Sequence, residues 1–74
     1  MTTRHSQVQV DPEVLSGTPV FRGTRVPIQS LFDYLEAGDS LDVFLTQFPS
    51  VDRAQAVAVL EEARDRVLSA PHAA

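Results

Sequence analysis

All six cations of this 74-residue sequence are arginines, Arg4, Arg22, Arg25, Arg53, Arg64 and Arg66. A guanidinium presents a planar fork of donors that meets phosphate, carboxylate or guanine in bidentate fashion, although a biased genomic composition would also give arginine without lysine. Arg22 and Arg25 flank Gly23-Thr24, where a tight corner would aim them at phosphates or base edges; the competing role is an ion pair with acidic helices. Arg53 and Gln55 open a helical stretch, and both side-chain types read base edges. Gln55 is occupied, however, if it folds back onto the Asp52 backbone, and Glu61 and Glu62 nearby repel phosphate. These four residues, Arg22, Arg25, Arg53 and Gln55, are the candidate DNA contacts.

Catalysis finds little support. His5 and His72 lie near the two ends, where no rigid support would preorganise an acid, base or ligand. With no cysteine and with carboxylates scattered along helix surfaces, neither a metal site nor a cofactor site is expected. The run from Gly17 to Thr24 has the look of a phosphate loop, but five residues separate Gly17 from Gly23 and no Lys follows. No paired nucleophile and base is visible, so an enzyme is not expected.

The elements that must carry these residues are legible from periodicity. Val8-Gln9-Val10 alternates long enough for a short strand. Asp11-Pro12-Glu13 reads as a turn or one helical turn capped by Asp11 and closed by Ser16-Gly17. From Thr18 to Pro27, apolar pairs on either side of Arg-Gly-Thr predict a small hairpin pivoting on Gly23. Pro19 and Pro27 lack ladder donors, which argues against a central strand there. Ile28, Leu31, Phe32 and Leu35 fall on one helical face before Gly38. Ser40 is placed to cap a second helix of about eight residues, carrying Leu41, Phe44, Leu45 and Phe48 and ending at Pro49. Asp52 and Gln55 form a capping-box spacing that opens a third and longest helix through Leu68, ahead of Pro71. Glu62 and Arg66 stand in the favourable order for an i,i+4 ion pair. Ala56, Val57, Val59, Leu60, Ala63 and Val67 cover a wider arc than one seam against two short helices would use. The surplus predicts a second buried face, met by dimerisation.

These elements make a mainly α, trihelical helix-turn-helix domain with a short N-terminal β element, expected over residues 8–68, with flexible termini at 1–7 and 69–74. At 8.1 kDa and 43% apolar residues the chain has room for one core only. Its longest apolar run, Ala56 to Leu60, falls far short of the roughly 20 residues that span a bilayer, so no membrane role and a cytoplasmic location are expected. The net charge of −4 argues against a nonspecific polyanion binder. Its distribution is uneven. Residues 1–26 carry three Arg against two acids, for +1, whereas residues 27–74 carry three Arg against eight acids, for −5. An anion-facing surface is thus expected in the N-terminal third.

The string from Asp11 to Pro27, with Gly17-Thr18-Pro19-Val20-Phe21-Arg22-Gly23-Thr24-Arg25-Val26-Pro27 at its centre, resembles the bacterial family called domain of unknown function 433. The likeness continues through Leu35-Glu36-Ala37-Gly38 and Phe48-Pro49-Ser50-Val51 and spans about residues 8 to 68. It departs from the commoner pattern at Ser16-Gly17 and at Ser40-Leu41-Asp42-Val43. The resemblance implies a homeodomain-like trihelical domain. It also implies an antitoxin of a type II toxin–antitoxin module, one that binds a PIN-like ribonuclease toxin and represses its own operon by binding operator DNA. On that implication Glu61, Glu62, Arg64 and Arg66 on the third helix are the candidate toxin contacts, in a homodimer or higher homo-oligomer. A stand-alone DNA-binding transcriptional regulator and a non-DNA dimeric protein-interaction module are the alternatives.

Overall fold

The structure, a computed structural model, describes residues 6–69. The elements run β1 (Val8–Gln9), a 3-10 turn (Leu15–Gly17), β2 (Val20–Phe21), α1 (Ile28–Glu36), α2 (Leu41–Gln47) and α3 (Arg53–Ser69). Three helices thus form the body, and a two-stranded antiparallel sheet closes its N-terminal side.

Strand β1 pairs with β2 in the register Val8 to Phe21 and Gln9 to Val20. The hairpin about Gly23 also forms, as a single bridge between Val20 and Pro27 with Phe21 N donating to Val26 O at 3.0 Å. Val20-Phe21 therefore lies between two partners, contrary to the expectation that the prolines forbid a central position. The prolines sit outside the donor positions: Pro19 contributes only its carbonyl, which accepts from Ile28 N at 3.0 Å. Gly23 turns the corner at φ +77°, a conformation that costs glycine little. The Thr24 hydroxyl fastens the corner, donating to Phe21 O at 2.8 Å and accepting from Val26 N at 3.0 Å.

In the loop before β2, Asp11 Oδ1 accepts from Glu13 N and Asp11 O from Val14 N, both at 2.9 Å, which makes the expected turn. The first two of the next three residues take a conformation that their types do not foretell. Leu15 and Ser16 have φ of +48° and +56°, and Gly17 continues at +87°. A left-handed conformation costs an L-residue with a side chain about 1–2 kcal/mol, and here both residues are exposed and the stretch is closed by turn bonds, Gly17 N to Val14 O and Thr18 N to Leu15 O, each at 3.1 Å.

Helix α1 ends as its glycine predicts. Gly38 adopts φ +93°, its N–H donates to Leu35 O, and Asp39 N donates to Tyr34 O, each at 3.0 Å. Together these bonds satisfy two carbonyls the helix would leave open. Ser40 Oγ then accepts from Val43 N at 3.2 Å, so α2 starts two residues after α1 is closed.

The core is Phe21, Leu31, Phe44, Val51, Ala56 and Val59, all buried. Phe44 is its hub, with ring centroids 6.0 Å from Phe21, 5.7 Å from Tyr34 and 4.9 Å from Phe48. Helix α3 buries only Ala56 and Val59, and every residue from Arg64 to Ser69 is exposed. No helix among the described residues is long and apolar enough to cross a membrane.

Candidate functional site

Chemistry-bearing side chains gather in two places, the corner between β2 and α1 and the distal half of α3. At the corner, Arg22 is exposed yet anchored. Its N–H donates to Gln7 O at 2.8 Å, its Nε donates to Ser6 O at 2.9 Å, and its carbonyl accepts from Gln55 Nε2 at 3.0 Å. These bonds fix the backbone and the Nε edge of Arg22. Arg25 is exposed and makes no hydrogen bond or ion pair among the described residues. It lines an open concavity of about 440 Å³ with Gln9, Thr24 and Ser50.

Gln55 meets the condition under which it is occupied. Its Oε1 accepts from Asp52 N at 3.1 Å, which is one arm of a capping box, while its Nε2 donates to Gln7 Oε1 at 3.1 Å and to Arg22 O at 3.0 Å. Both amide donors are therefore in use. Arg53 leans to α2 and forms an ion pair with Asp42 in which both side chains are exposed. The structure thus brings Arg22 and Gln55 together through a backbone carbonyl, turns Arg53 toward α2 and leaves Arg25 by itself at the corner.

On α3, Glu62 Oε1 accepts from Ser6 Oγ at 2.8 Å and Glu62 Oε2 accepts from Arg66 at 3.5 Å. The i,i+4 pair read from the sequence is therefore formed. Arg64 pairs with its neighbour Asp65 at 3.1 Å, and Glu61 has no polar partner among the described residues. Between the Ser6-Gln7 segment and the face of α3 carrying Ala58, Glu62 and Arg66 lies an open groove of about 660 Å³. Among the described residues no three His, Cys, Asp or Glu side chains are grouped to hold a metal ion. Arg4, His5 and His72, like the expectation of flexible ends at 1–5 and 70–74, fall outside the described residues.

Sequence periodicity misses Ser6 and Gln7. It leaves them in a flexible end, yet each bonds across the fold, to Glu62 and Gln55 respectively. Single polar residues paired over 56 and 48 positions leave no periodic trace.

A three-helix body closed by a short two-stranded β clasp defines a small, mainly helical domain. The chain belongs to the family described as Protein of unknown function (DUF433), whose model matches residues 8–63. That match ends at Ala63, the last residue of α3 that is not exposed, and stops short of residue 68. The chain is also similar to "Uncharacterized protein y4eO" of Sinorhizobium fredii (strain NBRC 101917 / NGR234), with 44% identity over 45 residues. The aligned part is 61% of this chain and 20% of that relative, so the chain spans about a fifth of the relative's length. No solved structure gave a significant match.

Proposed function

We propose that this protein is the cytoplasmic antitoxin of a type II toxin–antitoxin pair, a dimer that neutralises a PIN-like ribonuclease through α3 and binds its own operator through the Arg22–Arg25 corner. The observation that carries the reading is the continuation of α3 beyond the core. The six residues Arg64 to Ser69 are all exposed and extend about 9 Å at helical rise. A helix that offers apolar and charged side chains away from its own fold is suited to the groove of another protein. Arg64 holds the exposed Asp65 and Arg66 the half-buried Glu62, and both arginines, themselves exposed, can exchange these partners for carboxylates of a nuclease site. Glu61 and Glu62 would meet basic residues around that site.

For the operator, Arg25 is the exposed cation without a described partner, and the terminal nitrogens of Arg22 point from an anchored backbone. Arg53 joins them only by exchanging Asp42. Gln55 contributes by holding the Arg22 carbonyl in place. The pairing of Arg53 and the full engagement of Gln55 favour, as second reading, a protein-interaction module without a DNA role.

Co-expression with the product of the neighbouring gene tests the first reading. Joint purification and relief of toxicity are expected, and unimpaired neutralisation by an Arg64→Ala, Arg66→Ala double variant overturns the assignment of α3. A gel shift on the protein's own promoter across a salt series separates the two readings. No shift at low salt removes the operator role and leaves the interaction module.

A further inference from the structure

We infer that the face of α3 formed by Val57, Glu61, Arg64 and Leu68 is the seam of an antiparallel homodimer. This deepens the dimer named in the proposed function by assigning its interface. The four residues follow one another at spacings of four, three and four, the spacing that keeps one stripe of an α-helix against a second helix. The stripe is turned away from the core side occupied by Ala56 and Val59, and all four residues are exposed, Val57 at 38% and Leu68 at 73%. Glu61 has no polar partner among the described residues, and Arg64 has only the adjacent Asp65.

The order of residues along the stripe selects the occupant. Apolar residues stand at its two ends and opposite charges at its centre. Two copies running antiparallel about a two-fold axis between Glu62 and Ala63 set Glu61 against the partner's Arg64 and Arg64 against the partner's Glu61. The same axis sets Val57 against the partner's Leu68 at both ends. Parallel copies would set Glu61 against itself and Arg64 against itself, two like-charge contacts that oppose association. The stripe is thus complementary to itself in one direction only, as a two-fold interface requires. Glu61 stands on the edge shared by seam and groove, whereas the far wall of the groove stays open, because Arg66 lies about 160° around the helix from Arg64 at 100° per residue. A dimer built on this seam keeps Glu62 and Arg66 available to a different protein but occupies Glu61 and Arg64, so a toxin that takes all four residues must open the seam as it binds.

The test is sedimentation velocity on the purified chain, without toxin or DNA, over a concentration series. The wild type is expected to dimerise in the micromolar range. Glu61→Arg is expected to raise the dissociation constant by about tenfold or more, since it opposes two arginines across each symmetric contact. The double exchange Glu61→Arg, Arg64→Glu restores the pairing and is expected to return it to within a few-fold of wild type. Leu68→Glu is expected to give a monomer whose helical circular dichroism is unchanged. A wild type that remains monomeric at 100 micromolar, on the order of a hundredfold above an ordinary micromolar constant, overturns the proposal. So does a dimer indifferent to Glu61→Arg and Leu68→Glu, or one that the double exchange fails to rescue. Because toxin and operator are absent, failure here leaves neutralisation and operator binding to be judged by their own experiments.

Discussion

Gln55 and Arg25 are alike in type, two polar side chains suited to contact nucleic acid, and the structure separates them. Gln55 uses its oxygen on the first turn of α3 and both amide hydrogens on Gln7 and Arg22, joining the helix, the segment before β1 and the corner at one point. Gln55→Ala is therefore expected to lower stability by about 1–2 kcal/mol in urea denaturation. Gln55→Glu is expected to cost more, because a carboxylate would face the two oxygens that Nε2 now satisfies. Arg25→Ala is expected to leave stability within about 0.5 kcal/mol and to weaken the promoter gel shift. Equal stability of the Gln55→Ala variant and the wild type would show that the three bonds are not maintained in solution. Half of the difference was legible in the sequence, since the Asp52–Gln55 spacing foretells the bond to the Gln55 oxygen, and the amide half was not. The bonds from the Gln55 amide nitrogen to Gln7 and to the Arg22 carbonyl depend on segments 48 and 33 positions away, which no local pattern displays.

At the level of elements, the helices were readable because their ends announce themselves. Ser40 caps α2, Gly38 closes α1, and the Asp52–Gln55 spacing marks where α3 starts. Gly38 offers a clean test. A Cβ there would meet nothing within 4 Å, so Gly38→Ala is expected to cost about 1 kcal/mol through backbone conformation at φ +93° alone, measured as a lowered denaturation midpoint. The sheet was less readable. Two strands of two residues each have no periodicity to display, and prolines beside β2 argue for an edge by a rule that looks at donors one residue at a time. The left-handed Leu15-Ser16 pair was invisible for a related reason, since neither residue type favours that conformation. Helix α3 divides at Ala63, where burial ends. A chain stopped after Ala63 is expected to keep the cooperative unfolding of the full chain while losing both toxin capture and self-association.

For the molecule as a whole, the fit between a small core and a long helix decides behaviour. Six residues form the buried cluster, and Phe44 touches aromatic rings from three other positions, so the helical body has a single centre. A dimer adds stability by mass action, and the midpoint of thermal unfolding is expected to rise with protein concentration for the wild type and to stay level for Leu68→Glu. A wild-type midpoint that is independent of concentration would count against the dimer. The trihelical plan was legible because each helix has at least one end marked by a cap or a glycine and a repeat of apolar residues, whereas the clasp that joins Ser6 to Glu62 depends on residues 56 positions apart. Contacts so distant in the chain carry the largest loop-closure entropy, while the turns between helices close short loops. The clasp is then expected to be the first part to come undone under mild denaturant. Hydrogen exchange would record it as a separate, weaker unit: the amide of Arg22, bonded to Gln7, would exchange through a local unlatching that leaves the amides around Phe44 protected.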